Sequence, residues 1–266
     1  MIIIALARPQ TVSVSEEIAN KNGIDIIISV DVSLSMLSRD LPPDRLSVLK
    51  DVAKKFVLKR TSDRIGYVVY AAEGLTKVPL TSDKNLLVKE IEKTKTGELE
   101  QGTAIGMGLA VAVNHLKDSK AKSKIIVLMT DGVNNSGAID PLLAAEIAKD
   151  KKIKVYTIGI GTNGYAEMPT SYDPFSGEMI YSPVKVEIDE ILLGQIAQLT
   201  GGKYFRATNE NELNQIYSTI DALEKSKIED LKMFNYQEKF RIFLEIALLL
   251  LMVELILKFF VFKTIF

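Results

Sequence analysis

The chain has 266 residues, 47% of them hydrophobic, and its 33 Lys and Arg balance 34 Asp and Glu to a formal net charge of −1. That is apolar material enough for a sizeable core, without the basic excess that nucleic-acid binding needs. With no Cys and one His, His115, the sequence excludes a disulfide framework, a thiolate nucleophile, a zinc-thiolate cluster and a multi-histidine metal site.

The opening segment, MIIIALARPQ, offers seven apolar residues before Arg8, too few to span a bilayer and without the basic start and cleavage site of a secretion signal. Residues 1–10 read as the remnant of an upstream hydrophobic helix or as a short interfacial anchor. Ile24–Val30 is nearly continuous in apolar, β-branched residues, the pattern of a strand buried on both faces. Leu46, Leu49, Val52, Ala53, Phe56 and Val57 share one helical face, and Pro42-Pro43-Asp44 supplies a start signal. Ile65–Ala72 reads as a strand, Leu75–Leu80 as a short edge strand, and Asn85–Lys93 and Thr103–Lys117 as helices. Lys124–Thr130 and Ile153–Ile160 are buried strands with Pro141–Lys151 helical between them. Later come helix Ile188–Leu199, closed by Gly201-Gly202, strand Lys203–Ala207 and helix Glu210–Lys225. This alternation predicts an α/β domain over residues 20–225, a doubly wound and mostly parallel sheet with helices on both faces.

Other stretches depart from that rhythm. Residues 161–187 form a long connection holding Pro169, Pro174 and Pro183, and Asp173-Pro174-Phe175-Ser176-Gly177 signals a turn, so a hairpin insertion is predicted. Its Tyr165, Tyr172, Phe175 and Tyr181 either pack back on the domain or face a partner. Residues 226–241, of mixed charge, read as a juxtamembrane connector. Ile242–Phe262 is interrupted only by Glu245, Glu254 and Lys258. As a helix it would extend roughly 30 Å, the thickness of a bilayer core, which predicts a C-terminal transmembrane helix. Glu254 stands four residues before Lys258 and either pairs with it or meets another helix.

The chemistry is carried by the loops that follow two of the strands. Asp31-Val32-Ser33-Leu34-Ser35 follows the first buried strand, and Asp131-Gly132 follows Lys124–Thr130. In an open parallel sheet both loops emerge at the carboxyl edge, where ligand crevices form. Asp31, Ser33 and Ser35, at alternate positions of a turning loop, offer hard oxygen donors with no nitrogen or sulfur. Such a set suits Mg2+, with Mn2+ or Ca2+ as alternatives, and disfavours zinc and copper. Gly102-Thr103-Ala104-Ile105-Gly106 opens a helix and brings one more hydroxyl to the same rim. Any one of these pieces is also what a turn or a helix cap uses. The order singles them out: strand then DxSxS then helix, Gly-Thr opening a helix, strand then Thr-Asp-Gly.

In that order the sequence resembles the von Willebrand factor A (VWA) domain with its metal-ion-dependent adhesion site (MIDAS). The resemblance extends over about Ile24–Leu223. Leu6-Ala7-Arg8-Pro9-Gln10, Asp63-Arg64-Ile65-Gly66 and Gly201-Gly202-Lys203-Tyr204-Phe205 are similar to membrane-anchored, aerotolerance-type (BatA-like) bacterial proteins. It implies Asp31, Ser33, Ser35, Thr103 and Asp131 as the metal ligands, the carboxylates acting directly or through water, and no catalytic residue. It implies a binding role in which an acidic side chain of a protein partner completes the ion's coordination. A MoxR-type AAA+ ATPase and related VWA membrane proteins are the implied partners. The implied location is the bacterial inner membrane, with the domain periplasmic and transmembrane helices before and after it. Lys232, Lys239 and Arg241 ahead of residues 242–262 point the other way, to a cytoplasmic domain. Two positions depart from the family pattern: Leu34 stands where Gly is commoner, and Gln101 where an Asp often precedes Gly-Thr.

Two further readings compete with ion-dependent binding. In one, Asp31 is the nucleophile of a metal-dependent hydrolase, although Ser33 stands where such enzymes want a second carboxylate. In the other, the rim is vestigial and the domain is a scaffold. Gly159-Ile160-Gly161-Thr162-Asn163-Gly164 matches GxGxxG, but a Pro-containing insertion follows it instead of the helix a pyrophosphate needs. His115, near the end of its helix, reads as solvent- or dipole-facing.

Overall fold

The computed structural model describes residues 10–13, 23–173, 179–229, 235–238 and 240–256. The elements are β1 (Gln10–Ser13), β2 (Asp25–Asp31), a 3-10 turn (Leu34–Leu37), α1 (Arg45–Lys59), β3 (Arg64–Tyr70), β4 (Gly74–Thr81), α2 (Lys84–Lys93), α3 (Ile105–Leu116) and β5 (Lys124–Thr130). They continue with α4 (Pro141–Asp150), β6 (Lys154–Ile160), β7 (Gly164–Tyr172), β8 (Met179–Val186), α5 (Glu190–Thr200), β9 (Tyr204–Ala207), α6 (Glu210–Glu229), β10 (Asn235–Glu238) and α7 (Phe240–Ile256). The chain divides into two compact units, Asn20–Ile228 and a smaller one made from both termini.

In the larger unit six strands form one sheet in the order β4-β3-β2-β5-β6-β9. Only the β3–β4 pair is antiparallel. Every residue of β2 is buried, because alternate side chains serve two cores. Ile26, Ile28 and Val30 pack with Leu49, Val52 and Phe56 of α1, Leu87 and Ile91 of α2, and Leu213, Ile216 and Ile220 of α6. Ile27 packs on the other side with Ile105, Leu109 and Ala112 of α3, Ala144, Ala145 and Ala148 of α4, and Leu193 and Ile196 of α5. Each such buried Ile or Leu contributes about 1.5–3 kcal/mol, so the strands' apolar runs fix both layers.

The register of this sheet positions the loops. β2 and β5 run parallel with Val30 opposite Met129, so Asp31 and Thr130-Asp131 leave the carboxyl edge side by side. Asp44 caps α1 by accepting from the Ser47 N–H, as its start signal predicts. β3 ends at Tyr70, short of the Ala72 that its apolar run suggests, because the Ala71 N–H turns to the Glu73 carbonyl. The insertion is a hairpin: β7 and β8 pair antiparallel, Gly164 opposite Val186.

In the smaller unit β1 pairs antiparallel with β10, Gln10 opposite Glu238. β10 falls within the expected connector, and β1 starts at the last residue of the expected anchor remnant and runs on to Ser13. α7 has 17 residues, and Leu244, Leu248, Leu249, Leu250, Leu251 and Met252 are exposed along it. Among the described residues no helix is long and apolar enough to cross a membrane. Residues 257–262 of the span expected at 242–262, and residues 1–9 of the expected N-terminal remnant, lie outside the described residues.

Candidate metal centre

Asp31 closes β2 and is fully buried. Its Oδ1 accepts from the Ser33 N–H at 2.9 Å, and its Oδ2 from the Thr130 hydroxyl at 2.7 Å. The Ser33 and Ser35 hydroxyls lie 2.9 Å apart, and the Ser35 hydroxyl donates to Asp131 Oδ1 at 2.7 Å. Asp31, Ser33, Ser35 and Asp131 therefore form one connected set of oxygens across two loops. Leu34 opens the 3-10 turn, and among the described residues Lys152 alone is a non-glycine with positive φ. The family's commoner Gly is thus not needed here for backbone reasons.

Thr103 reaches the same rim from the loop before α3 and is almost fully buried. Its N–H donates to Asn135 Oδ1 at 2.8 Å, its carbonyl accepts from the Asn135 and Ser136 N–H groups, and the Ile105 N–H donates to Asn134 Oδ1. The loop after Asp131 therefore holds the Thr103 loop in place. A Cβ on Gly132 would lie 3.8 Å from Thr103 Oγ1, which puts that hydroxyl beside the Asp131-Gly132 turn. Gly102 has φ +133°, and a Cβ there would lie 2.1 Å from Ser136 Oγ, so the Gly of this Gly-Thr pair is required.

The electrostatics are unbalanced. Burial, with the Asp131 charge beside it, pushes the Asp31 carboxyl up to about 7. Burial also raises Asp131, against the opposing pull of Arg45 and Ser35. Arg45 is a residue that motif reading missed. Its side chain is fully buried, its Nη1 donates to Asp131 Oδ2 at 2.8 Å, and its Nε and Nη2 donate to Asp40 at 2.7 and 2.6 Å. Asp40 also accepts from the Thr162 N–H and hydroxyl at 2.8 and 3.0 Å. Burial would raise the Asp40 carboxyl, but the Arg45 and Thr162 hydrogen bonds outweigh it and hold the carboxyl below the usual range. Gly161 has φ +114°, and a Cβ there would sit 2.5 Å from the guanidinium, which gives the decoy GxGxxG glycine its own steric reason. One signal was present in the sequence: Arg45 lies four residues before Leu49 and seven before Val52, on the apolar stripe of α1.

Two carboxylates and three hydroxyls meeting at one rim fit a hard divalent cation. Among the described residues no three His, Cys, Asp or Glu side chains gather, so hydroxyls dominate the donor set. His115 is elsewhere, half-buried with its Nε2 2.7 Å from the Thr76 hydroxyl on edge strand β4, and burial lowers its pKa. It lies in the last turn of α3 and takes no part in the rim.

Fold and rim together define a doubly wound domain with an oxygen-donor site at the carboxyl edge of its sheet. Residues 25–219 match the von Willebrand factor type A domain, and the chain belongs to that family. It is 31% identical to an uncharacterized protein of Borreliella burgdorferi over 96% of this chain and 74% of that protein. It is also 31% identical to a UPF0353 protein of Nocardia farcinica over 76% of this chain, spanning 63% of that relative's length. Among solved structures it is similar to an aerotolerance-related membrane protein from Bacteroides fragilis, with 28% identity and TM-score 0.64 over 75% of this chain and 98% of that one. A mussel byssus proximal thread matrix protein with a zinc-occupied MIDAS motif is 25% identical, TM-score 0.57, over 74% of this chain and 47% of that one.

Proposed function

We propose that this domain is a membrane-tethered module that recognises a protein partner through a divalent cation, Mg2+ by preference, held by Asp31, Ser33, Ser35, Thr103 and Asp131. The observation that carries the reading is Asp31: fully buried, with no cation paired to it among the described residues, at a rim built from oxygens. A bound cation supplies the missing positive charge and, with neutral hydroxyls as most of its ligands, stays electrophilic enough to take an acidic side chain from a partner. Both Asp31 oxygens are already engaged by Ser33 and Thr130, which suits a charge-bearing ligand better than an attacking nucleophile. The domain therefore acts by binding and not by turnover.

The tether is the C-terminal segment. α7 exposes Leu and Met side chains in a row, which water does not favour and a lipid phase accepts. Likeness to an aerotolerance-related membrane protein supports the same reading. We place the chain in a bacterial inner membrane with the domain periplasmic and with a MoxR-type AAA+ ATPase and related VWA membrane proteins as its partners. Protease added to spheroplasts should cleave the domain; a domain left intact while a periplasmic control is cut reverses the orientation.

The ion is tested by calorimetry on the full chain in detergent with Mg2+, Mn2+, Ca2+ and Zn2+, beside Thr103→Ala and Asp31→Asn. Saturable Mg2+ binding lost in both variants is the expected result. No Mg2+ binding by the parent overturns the reading.

A further inference from the structure

Four arginine side chains in the structure are spoken for. Arg45 is paired with Asp40 and Asp131, Arg60 with Asp63 and Asp221, Arg64 with Asp25, and Arg206 with Glu190. Arg39 differs: it is exposed and makes no ion pair among the described residues, yet it is held in place. Its N–H donates to the Glu167 carbonyl of β7 at 3.0 Å, and its guanidinium lies 3.6 Å over the Tyr181 ring of β8. A guanidinium stacked on an aromatic face has given up much of its side-chain freedom while its N–H fork still points outward.

Its place is next to the metal rim. Arg39 lies four residues beyond Ser35, and the Ser38 N–H and hydroxyl both bond the Ser35 carbonyl, at 2.9 and 2.6 Å, so the loop from ligand to Arg39 is compact. The hairpin is pinned at its base by Thr162 on Asp40 and by Gly161 against the Arg45 guanidinium. It therefore stands beside the ion site as a fixed wall that presents Arg39.

We propose that Arg39, mounted on Tyr181, is a second anion contact of this rim, and that the partner segment it reads is an acidic peptide bearing at least two carboxylates. This rests on the ion-dependent recognition proposed above, and deepens it: one carboxylate completes the ion and a neighbouring one takes the Arg39 fork. Pre-positioning of the guanidinium lowers the entropy that the second contact costs.

The test uses the full chain in detergent with saturating Mg2+ and a fluorescent hexaglutamate peptide, followed by anisotropy, with Mg2+ calorimetry on the same samples. Arg39→Ala should weaken the peptide about tenfold and leave Mg2+ affinity unchanged. Arg39→Lys should recover part of the loss, because charge remains without the stacked fork. Tyr181→Leu, which removes only the platform, should weaken the peptide about threefold. Hexaglutamine should not bind. Equal peptide affinity for parent and Arg39→Ala, or no hexaglutamate binding to the Mg2+-loaded parent, overturns the Arg39 proposal and leaves the ion site standing. Failure of the parent to bind Mg2+ overturns the ion reading and this one with it.

Discussion

At the amino edge of the six-stranded sheet, buried carboxylates each meet a cation. Asp25 pairs with Arg64 at 2.5 Å, Asp63 with Arg60 at 2.8 Å, and Glu224 with Lys154 at 2.6 Å. Glu224, fully buried, also accepts from the Ser123 and Tyr156 hydroxyls. At the carboxyl edge of the same strands, Asp131 and Asp40 share the single guanidinium of Arg45, and Asp31 has no contact with it. Asp25, Asp63 and Glu224 each meet a cation where the sheet only has to hold together, and Asp31 meets none among the described residues where the loops converge. Desolvated charge without a partner is costly, so an edge that keeps such a group is an edge with a use for it.

The largest effect expected from breaking this arrangement is at Arg45. Arg45→Ala leaves Asp131 and Asp40 without their cation in a buried site and should lower stability by about 3–5 kcal/mol in urea unfolding of the full chain. Saturating Mg2+ should return part of that loss, because the ion substitutes for the missing charge and binds only the folded state. An Arg45→Ala protein as stable as the parent would show that the guanidinium merely fills space.

The comparison sharpens with the same amide substitution at both edges. Glu224→Gln removes the charge from a paired carboxylate and should destabilise by about 2 kcal/mol. Asp31→Asn removes the charge from an unpaired one, and its amide can still accept from the Ser33 N–H and turn its NH2 toward Thr130. At pH 8 without metal it should stabilise by about 1 kcal/mol, while the rise in melting temperature that Mg2+ gives the parent disappears. Destabilisation by both swaps would mean that Asp31 is as well compensated as Glu224, and the argument for a missing cation would fall.

What was legible in the sequence follows the same division. Asp31, Ser33 and Ser35 are close in the chain, and Asp131 directly follows a strand whose apolar run marks it plainly, so the rim follows once β2 and β5 are adjacent and parallel. Arg45 was legible only as an arginine on the apolar stripe of α1, because its partners Gly161 and Asp40 come from loops with no pattern and close around it only in the fold. Asn134 and Asn135 are polar loop residues whose role exists only across the gap to Thr103. β1 and β10 are four-residue polar strands joined from opposite ends of the chain, with no alternation to betray them. Local motifs reveal ligands; the charges that tune them come from tertiary contacts.

The smallest effect concerns acid. Burial would raise the Glu224 carboxyl, but hydrogen bonds from Lys154, Ser123 and Tyr156 outweigh it and hold it below its ordinary value of 4.5. The folded state therefore binds this proton less readily than the unfolded chain. The contribution is present above the ordinary carboxylate range and is lost as pH falls through the lowered folded value. The stability difference between the parent and Glu224→Gln should stay level from pH 8 to about 5 and shrink toward pH 3. A difference that holds unchanged at pH 3 would mean that the charge on Glu224 contributes nothing and that its hydrogen bonds act equally well through a neutral group.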